Sequence, residues 1–166
     1  CILSHRNAIK QAADRNLDRI LIVEDDSYLT EEMAHLWQEG LKALLADLPP
    51  DWAVFNFCTF ETISPYRFVG EAEGIKLVEA GGSSCAVAYL LNGKILRRLL
   101  EELPDEETIW RWVARYKVID RWYARNLMRF GRVYFFAPSI VGHRPGPSDI
   151  SMSAENAGLL DFSLER

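Results

Sequence analysis

The sequence predicts a mixed α/β domain with a mostly parallel sheet flanked by helices, and three observations lead there. A short continuous apolar run, Ile20-Leu21-Ile22-Val23, ends abruptly in Glu24-Asp25-Asp26, which reads as a buried parallel strand with polar groups at its carboxyl end. Segments of helical period alternate with further apolar runs at Trp52 to Cys58 and Val133 to Ala137, the alternation expected of helices packed on a sheet. The chain has 166 residues, 49% of them hydrophobic, with five tryptophans; this suffices for one packed domain spanning 1–166 and is too little for two ordinary ones.

The elements follow in order. Ser4 is the expected cap of a first helix whose apolar positions are Ile9, Ala12, Ala13 and Leu17. After the strand Ile20 to Val23, Thr30 caps a second helix that places Glu31 and Glu32 in its first turn, where the helix dipole favours acids. Met33, Leu36, Trp37, Leu41, Leu44 and Leu45 form its apolar stripe, and Pro49-Pro50 closes it. Trp52 to Cys58 is a second strand. Thr59 to Gly74 mixes Pro, Gly and aromatics without a clear period and reads as a long loop. Ile75 to Val78 and Cys85 to Leu91 read as strands separated by Gly81-Gly82, which makes the sheet mixed. Lys94 to Leu103 is an amphipathic helix ended by Pro104, and Glu106 to Lys117 and Asp120 to Phe130 are helices, the last stopped by Gly131. Val133 to Ala137 is the final strand before Pro138.

A net charge of −5 with no clustered basic face argues against a nucleic-acid partner. Cys1, Cys58 and Cys85 are odd in number and lack metal-type spacing, so free thiols in a reducing, cytoplasmic compartment are expected. No apolar run approaches bilayer length, and no signal-peptide pattern is present.

The chemistry is expected at Glu24-Asp25-Asp26. Ligands of open α/β sheets collect at carboxyl ends of strands, and three adjacent acids there need a positive partner. Mg2+ or Mn2+ suits them, because both take carboxylate oxygens and leave positions open for phosphate oxygens. Acids at strand ends also serve simply as turn formers and caps. The same stretch resembles the first strand of response-regulator receiver domains. A receiver needs a phosphoacceptor Asp at the end of a later strand, yet this chain has no Asp between Asp51 and Asp105, and a whole helix precedes the strand.

A wider resemblance covers most of the chain. Cys1-Ile2-Leu3-Ser4-His5 resembles a Gly-Cys-x-x-Ser-His block, Ile20 to Asp26 a Leu-x-Leu-Glu-Asp-Asp block, and Ala88-Tyr89-Leu90-Leu91 an Ala-Tyr-Leu-Ile segment. Val118-Ile119-Asp120 resembles Pro-Ile-Asp, and Pro138 to Ile150, ending Ser148-Asp149-Ile150, resembles a closing Pro-x-Val-x-Gln with a later Ser-Asp-Ile. In this order the blocks resemble glycosyltransferase family 25, the lipooligosaccharide and collagen galactosyltransferase-like enzymes.

The resemblance implies a GT-A-like single domain that transfers a hexose, such as galactose or glucose, from a nucleoside diphosphate sugar to a glycan or protein-linked acceptor, with Mn2+ or Mg2+ bridging the diphosphate. It implies Asp26 and Glu24 as metal ligands, with His143, which stands where the family has Gln, as a further one. Ser4, His5, Glu24 and Asp25 are implied in donor binding, Asp149 at the acceptor or in a loop across the donor, and inversion with Asp120 as the acceptor's base. Each has a plainer reading. Asp120 is also placed to cap the helix that follows it, His5 to pack and bond locally, and His143 to sit on a surface loop. Trp110, Trp112, Trp122, Tyr116 and Tyr123 at helical spacing read as core, and Arg121 and Arg125 as surface ion-pair formers.

Against the family pattern, the chain lacks a leading strand and basic segment. It therefore reads as N-terminally truncated, with an open sheet edge that invites a partner strand or a homodimer contact. An acceptor at a membrane surface is compatible with it, and a non-catalytic carbohydrate or protein interaction module is the alternative function.

Overall fold

The computed structural model describes residues 1–31, 49–72 and 74–144. Helix α1 (Ile2–Asp14) leads into β1 (Arg19–Val23) and a short β2 (Ser27–Leu29). Then come β3 (Trp52–Asn56), the long hairpin β4 (Glu61–Ala72) and β5 (Ile75–Ser84), and β6 (Ala88–Asn92). Helices α2 (Leu96–Glu102), α3 (Ile109–Tyr116) and α4 (Ile119–Asn126) precede β7 (Arg132–Ala137) and β8 (Val141–His143). The predicted second helix and Asp149 lie outside the described residues, apart from the start of that helix at Glu31.

Six strands form one sheet in the order β1-β6-β3-β7-β5-β4, and β2 pairs with β8 in a separate ribbon. The class is mixed α/β as predicted, but the sheet is mostly antiparallel. Only β3 and β7 pair in parallel, while β1–β6, β3–β6, β4–β5 and β5–β7 are antiparallel. The reason is that β6 inserts reversed between the co-directed β1 and β3, and a hairpin fills the far edge. Strand β1 is likewise not a buried central strand. It is an edge of the sheet, pairing on one side with β6, and Leu21 and Val23 are 43% and 53% exposed.

The expected loop from Thr59 to Gly74 is instead mostly β4. It escapes a period-2 reading because it is an edge strand with both faces largely exposed and because its register breaks between Ile63 and Tyr66, around Pro65, and again between Phe68 and Gly70. Gly81-Gly82 do not separate two strands either, since β5 runs through them. Ser4 is not a cap: α1 starts at Ile2, with Cys1 in the cap position and no side-chain bond there.

The core lies on both sheet faces. One cluster joins Ile9, Ile22, Tyr89, Leu91, Leu99 and Trp122, where α1, α2 and α4 meet β1 and β6. The other joins Phe55, Leu77, Leu90, Tyr134, Phe136 and Val141 on the opposite face. Trp112, Trp122 and Tyr123 are core as expected, whereas Trp110 is 78% exposed on the outer side of α3. Among the described residues no helix is long and apolar enough to cross a membrane, and all three cysteines are free thiols.

Candidate functional site

Strands β1, β3 and β7 run in one direction, so their carboxyl ends lie along one edge of the sheet. The first turns of α1 and α4 reach the same edge, because α1 folds back on β1 and because α4 follows the turn at Lys117 and Val118. Backbone bonds tie this edge together. The Glu24 N–H donates to Val87 O at 2.8 Å, the Phe57 N–H to Ala88 O at 3.0 Å, and the Ile140 and Val141 N–H groups both donate to Phe57 O.

Glu24 and Asp26, two positions apart, face different partners. Glu24 Oε1 is 3.0 Å from His5 Nε2 and 3.5 Å from Cys1 Sγ. The buried His5 ring is fixed from behind, with Nδ1 2.7 Å from the Tyr89 hydroxyl, which in turn lies 3.1 Å from the Tyr123 hydroxyl. The result is a polar chain from the sheet edge into the core, and burial raises the phenol pKa of both tyrosines, so they remain neutral hydrogen-bonding groups.

Asp26 meets His143 instead, with Oδ2 2.8 Å from Nε2. The ribbon of β2 and β8 creates this contact. Ser27 pairs with His143 and Tyr28 with Gly142, and the Arg144 N–H donates to Asp26 O at 2.9 Å. Gly142 is needed there, because a Cβ would come within 2.3 Å of the Tyr28 ring. Asp26 Oδ1 and His143 Nδ1 are both buried with no hydrogen-bond partner among the described residues. Buried polar atoms are rarely left so, and each of the two has capacity for a further partner. Asp26 is a ligand type that Mg2+ or Mn2+ takes, His143 a less suited one, and Glu24 is turned to His5 and does not join them.

Asp120 sits in the first turn of α4, one residue beyond the helix start; the cap position belongs to Val118. Its carboxyl is half-buried and its pKa is raised, first by desolvation and then by the negative charge of Glu24; His5 and the backbone N–H groups of Ala86 and Asp120 itself pull it partly back. Asp120 and Glu24 thus share one electrostatic environment, as a proton acceptor and its neighbours would. Asp25 and Ser4 are exposed on the same edge.

Two hollows lie along β1, one at each end. One of about 220 Å³, lined by Leu21, Val23, Tyr28, Leu29, Phe57 and Val141, is apolar and adjoins the β2–β8 ribbon. Another of about 590 Å³, which includes Arg19, Trp52, Lys94 and Arg97, opens at the opposite end of β1. Volume alone would favour the second as a ligand site; the first lies beside the ribbon that brings Asp26 and His143 together, and no acid or histidine lines it.

Sequence reasoning grouped Asp26, Glu24 and His143 at a metal and His5 with Glu24 at a donor, with Asp120 apart; the structure sets Asp26 against His143 and Glu24 against His5. Sequence reasoning missed Tyr89 and Tyr123 as polar partners of His5, because an aromatic in an apolar strand or helix carries no signal of what its hydroxyl meets. The chain matches no protein-family model, and no curated protein matches it significantly.

Proposed function

We propose that this domain is a metal-dependent glycosyltransferase that moves a hexose from a nucleoside diphosphate sugar to a hydroxyl of a glycan or protein-linked acceptor, with inversion. The observation that carries the reading is that one sheet edge bears both the Asp26–His143 pair, each partner with one buried atom unbonded among the described residues, and Asp120 with its raised pKa. The sequence resemblance to glycosyltransferase family 25, with its GT-A-like fold, supports the same assignment.

Asp26 and His143 would hold Mn2+ or Mg2+, which supplies charge neutralisation of the departing diphosphate. The residues of the chain do the rest. The apolar hollow beside the ribbon is smaller than a whole nucleotide sugar requires and suits one ring, base or sugar, against Tyr28 and Phe57. Exposed Asp25 is free to accept hydrogen bonds from sugar or ribose hydroxyls. Asp120 takes the acceptor hydroxyl proton as that oxygen bonds to the anomeric carbon and the bond from carbon to diphosphate oxygen breaks; a raised carboxylate pKa makes it a better base for this step. His5, held by Tyr89, orients Glu24 beside it.

The test is calorimetric titration of uridine diphosphate with and without Mn2+, on wild type and on Asp26→Ala. Binding that needs both Mn2+ and Asp26 is expected. No binding by the folded protein overturns the transferase and leaves a non-catalytic interaction module, a reading favoured by one observation, the engagement of Glu24 by His5 away from Asp26.

A further inference from the structure

Cys1 and His5 stand one helical turn apart at the start of α1, and Glu24 is the first residue beyond β1. Cys1 Sγ at 3.5 Å and His5 Nε2 at 3.0 Å converge on the same carboxylate oxygen, Glu24 Oε1. All three ligand atoms lie within 4.8 Å of one another. Tetrahedral zinc makes bonds of about 2.3 Å to sulfur and about 2.0–2.1 Å to nitrogen and oxygen, which sets neighbouring ligand atoms roughly 3.3–3.5 Å apart. The sulfur–oxygen distance already has this value, and the nitrogen–oxygen distance needs an opening of only about 0.3 Å on the same geometry.

A second feature points the same way. An imidazole that binds a metal through one nitrogen is normally held through the other by a hydrogen-bonding partner. His5 is 5% exposed, and its Nδ1 is fixed 2.7 Å from the Tyr89 hydroxyl, itself backed by Tyr123. That arrangement leaves Nε2 aimed at Glu24 and Cys1. Cys1 is exposed, so an ion has an approach and a solvent molecule has room for a fourth position. One thiolate, one imidazole and one carboxylate form a borderline-soft set, which favours zinc over Mg2+ or Ca2+.

We propose that Cys1, His5 and Glu24 form a zinc-class site that pins the first turn of α1 to the end of β1. Binding releases the thiol proton of Cys1 to solvent. The site uses none of Asp26, His143 and Asp120, so it does not rest on sugar transfer.

Cobalt(II) is the probe, titrated into the reduced, metal-free full chain. The expected result is a near-ultraviolet band from thiolate-to-cobalt charge transfer, saturating at one equivalent, displaced by Zn2+ and lost in Cys1→Ser. Because Cys1 is exposed, that variant should keep the wild-type circular dichroism spectrum. Absence of the band in wild type overturns the proposal, as does a band that persists in Cys1→Ser, since the thiolate would then be Cys58 or Cys85. Failure of the uridine diphosphate titration leaves this readout untouched, so the two proposals fail separately.

Discussion

Asp26 Oδ2 lies 2.8 Å from His143 Nε2, although one residue follows β1 near the start of the chain and the other ends β8. The pair exists because a three-residue ribbon brings β2 and β8 together, and each partner keeps one buried atom without a bond among the described residues. His143→Ala should therefore weaken Mn2+ binding by about 10–100-fold, the loss typical when a support of a metal site is removed, with little change in folding. His143→Gln should recover part of it through the amide oxygen. Mn2+ titrations followed by electron paramagnetic resonance measure both, and equal affinity in wild type and His143→Ala would remove His143 from the site.

The polar chain behind His5 orders two further variants. Tyr123→Phe removes one hydrogen bond but leaves Tyr89 on His5, and should cost about 0.5–1.5 kcal/mol in urea unfolding. Tyr89→Phe strands both His5 Nδ1 and the Tyr123 hydroxyl in the core, where each unsatisfied group carries a penalty of about 1–3 kcal/mol. Tyr89→Phe should thus be the more destabilising by a clear margin. The reverse order would mean that the chain does not run through Tyr89.

The closeness of β5 to α4 gives a third expectation. A Cβ on Gly82 would stand 1.9 Å from the Ala124 carbonyl oxygen, a backbone atom with no flexible end to yield. Gly82→Ala should destabilise by about 1–3 kcal/mol, as overpacking of a tight core does. It should also reduce transfer activity, because Asp120 rides on the same helix. Unfolding and rate measured on one preparation would show the two effects together; wild-type stability would contradict the contact.

How far the sequence could be read depends on what each residue type reveals. The strand Ile20 to Val23 was legible from its apolar run, and so were the acids at its end, the helices closed by Pro104 and Gly131, and the strand before Pro138. The position of β1 within the sheet was not. An apolar run shows that a strand is wanted but not whether its neighbour runs with it or against it, and the reversed β6 decided that through pairings such as Leu21 with Leu90. The strand β4 was hidden because exposed edge residues need not alternate and Pro65 interrupts the ladder. Trp110 was misjudged as core: α3 carries Trp110 and Trp112 two positions apart, and only one of them can face α4, so Trp112 packs against Trp122 and Trp110 points out. In the site, the chemistry-bearing residues and their rough grouping were legible through the family resemblance, while the contacts themselves were not. Glu24 with His5 and Asp26 with His143 depend on which way successive side chains leave a strand end, and on a ribbon too short to leave a pattern.

Asp120 supplies the last expectation, in which rate and stability move in opposite directions. Its pKa is raised above the ordinary value of 3.8, with desolvation first among the causes and the charge of Glu24 second. Between the unfolded value and the raised native one, the native state binds more protons than the unfolded state, so stability falls as pH climbs through that window and the loss is complete above the native pKa. Above its native pKa the folded protein therefore holds Asp120 ionised at a cost. Asp120→Asn removes that cost while keeping an oxygen for the Ala86 N–H, so its Tm should exceed that of wild type above that pKa, and the gap should shrink as pH is lowered toward 3.8. The same variant loses the proton acceptor and should lower kcat by about 10²–10⁴-fold, the range for removal of a general base. A Tm gap that does not change with pH would mean that Asp120 is not held ionised against its surroundings, and undiminished transfer would assign the proton to another group.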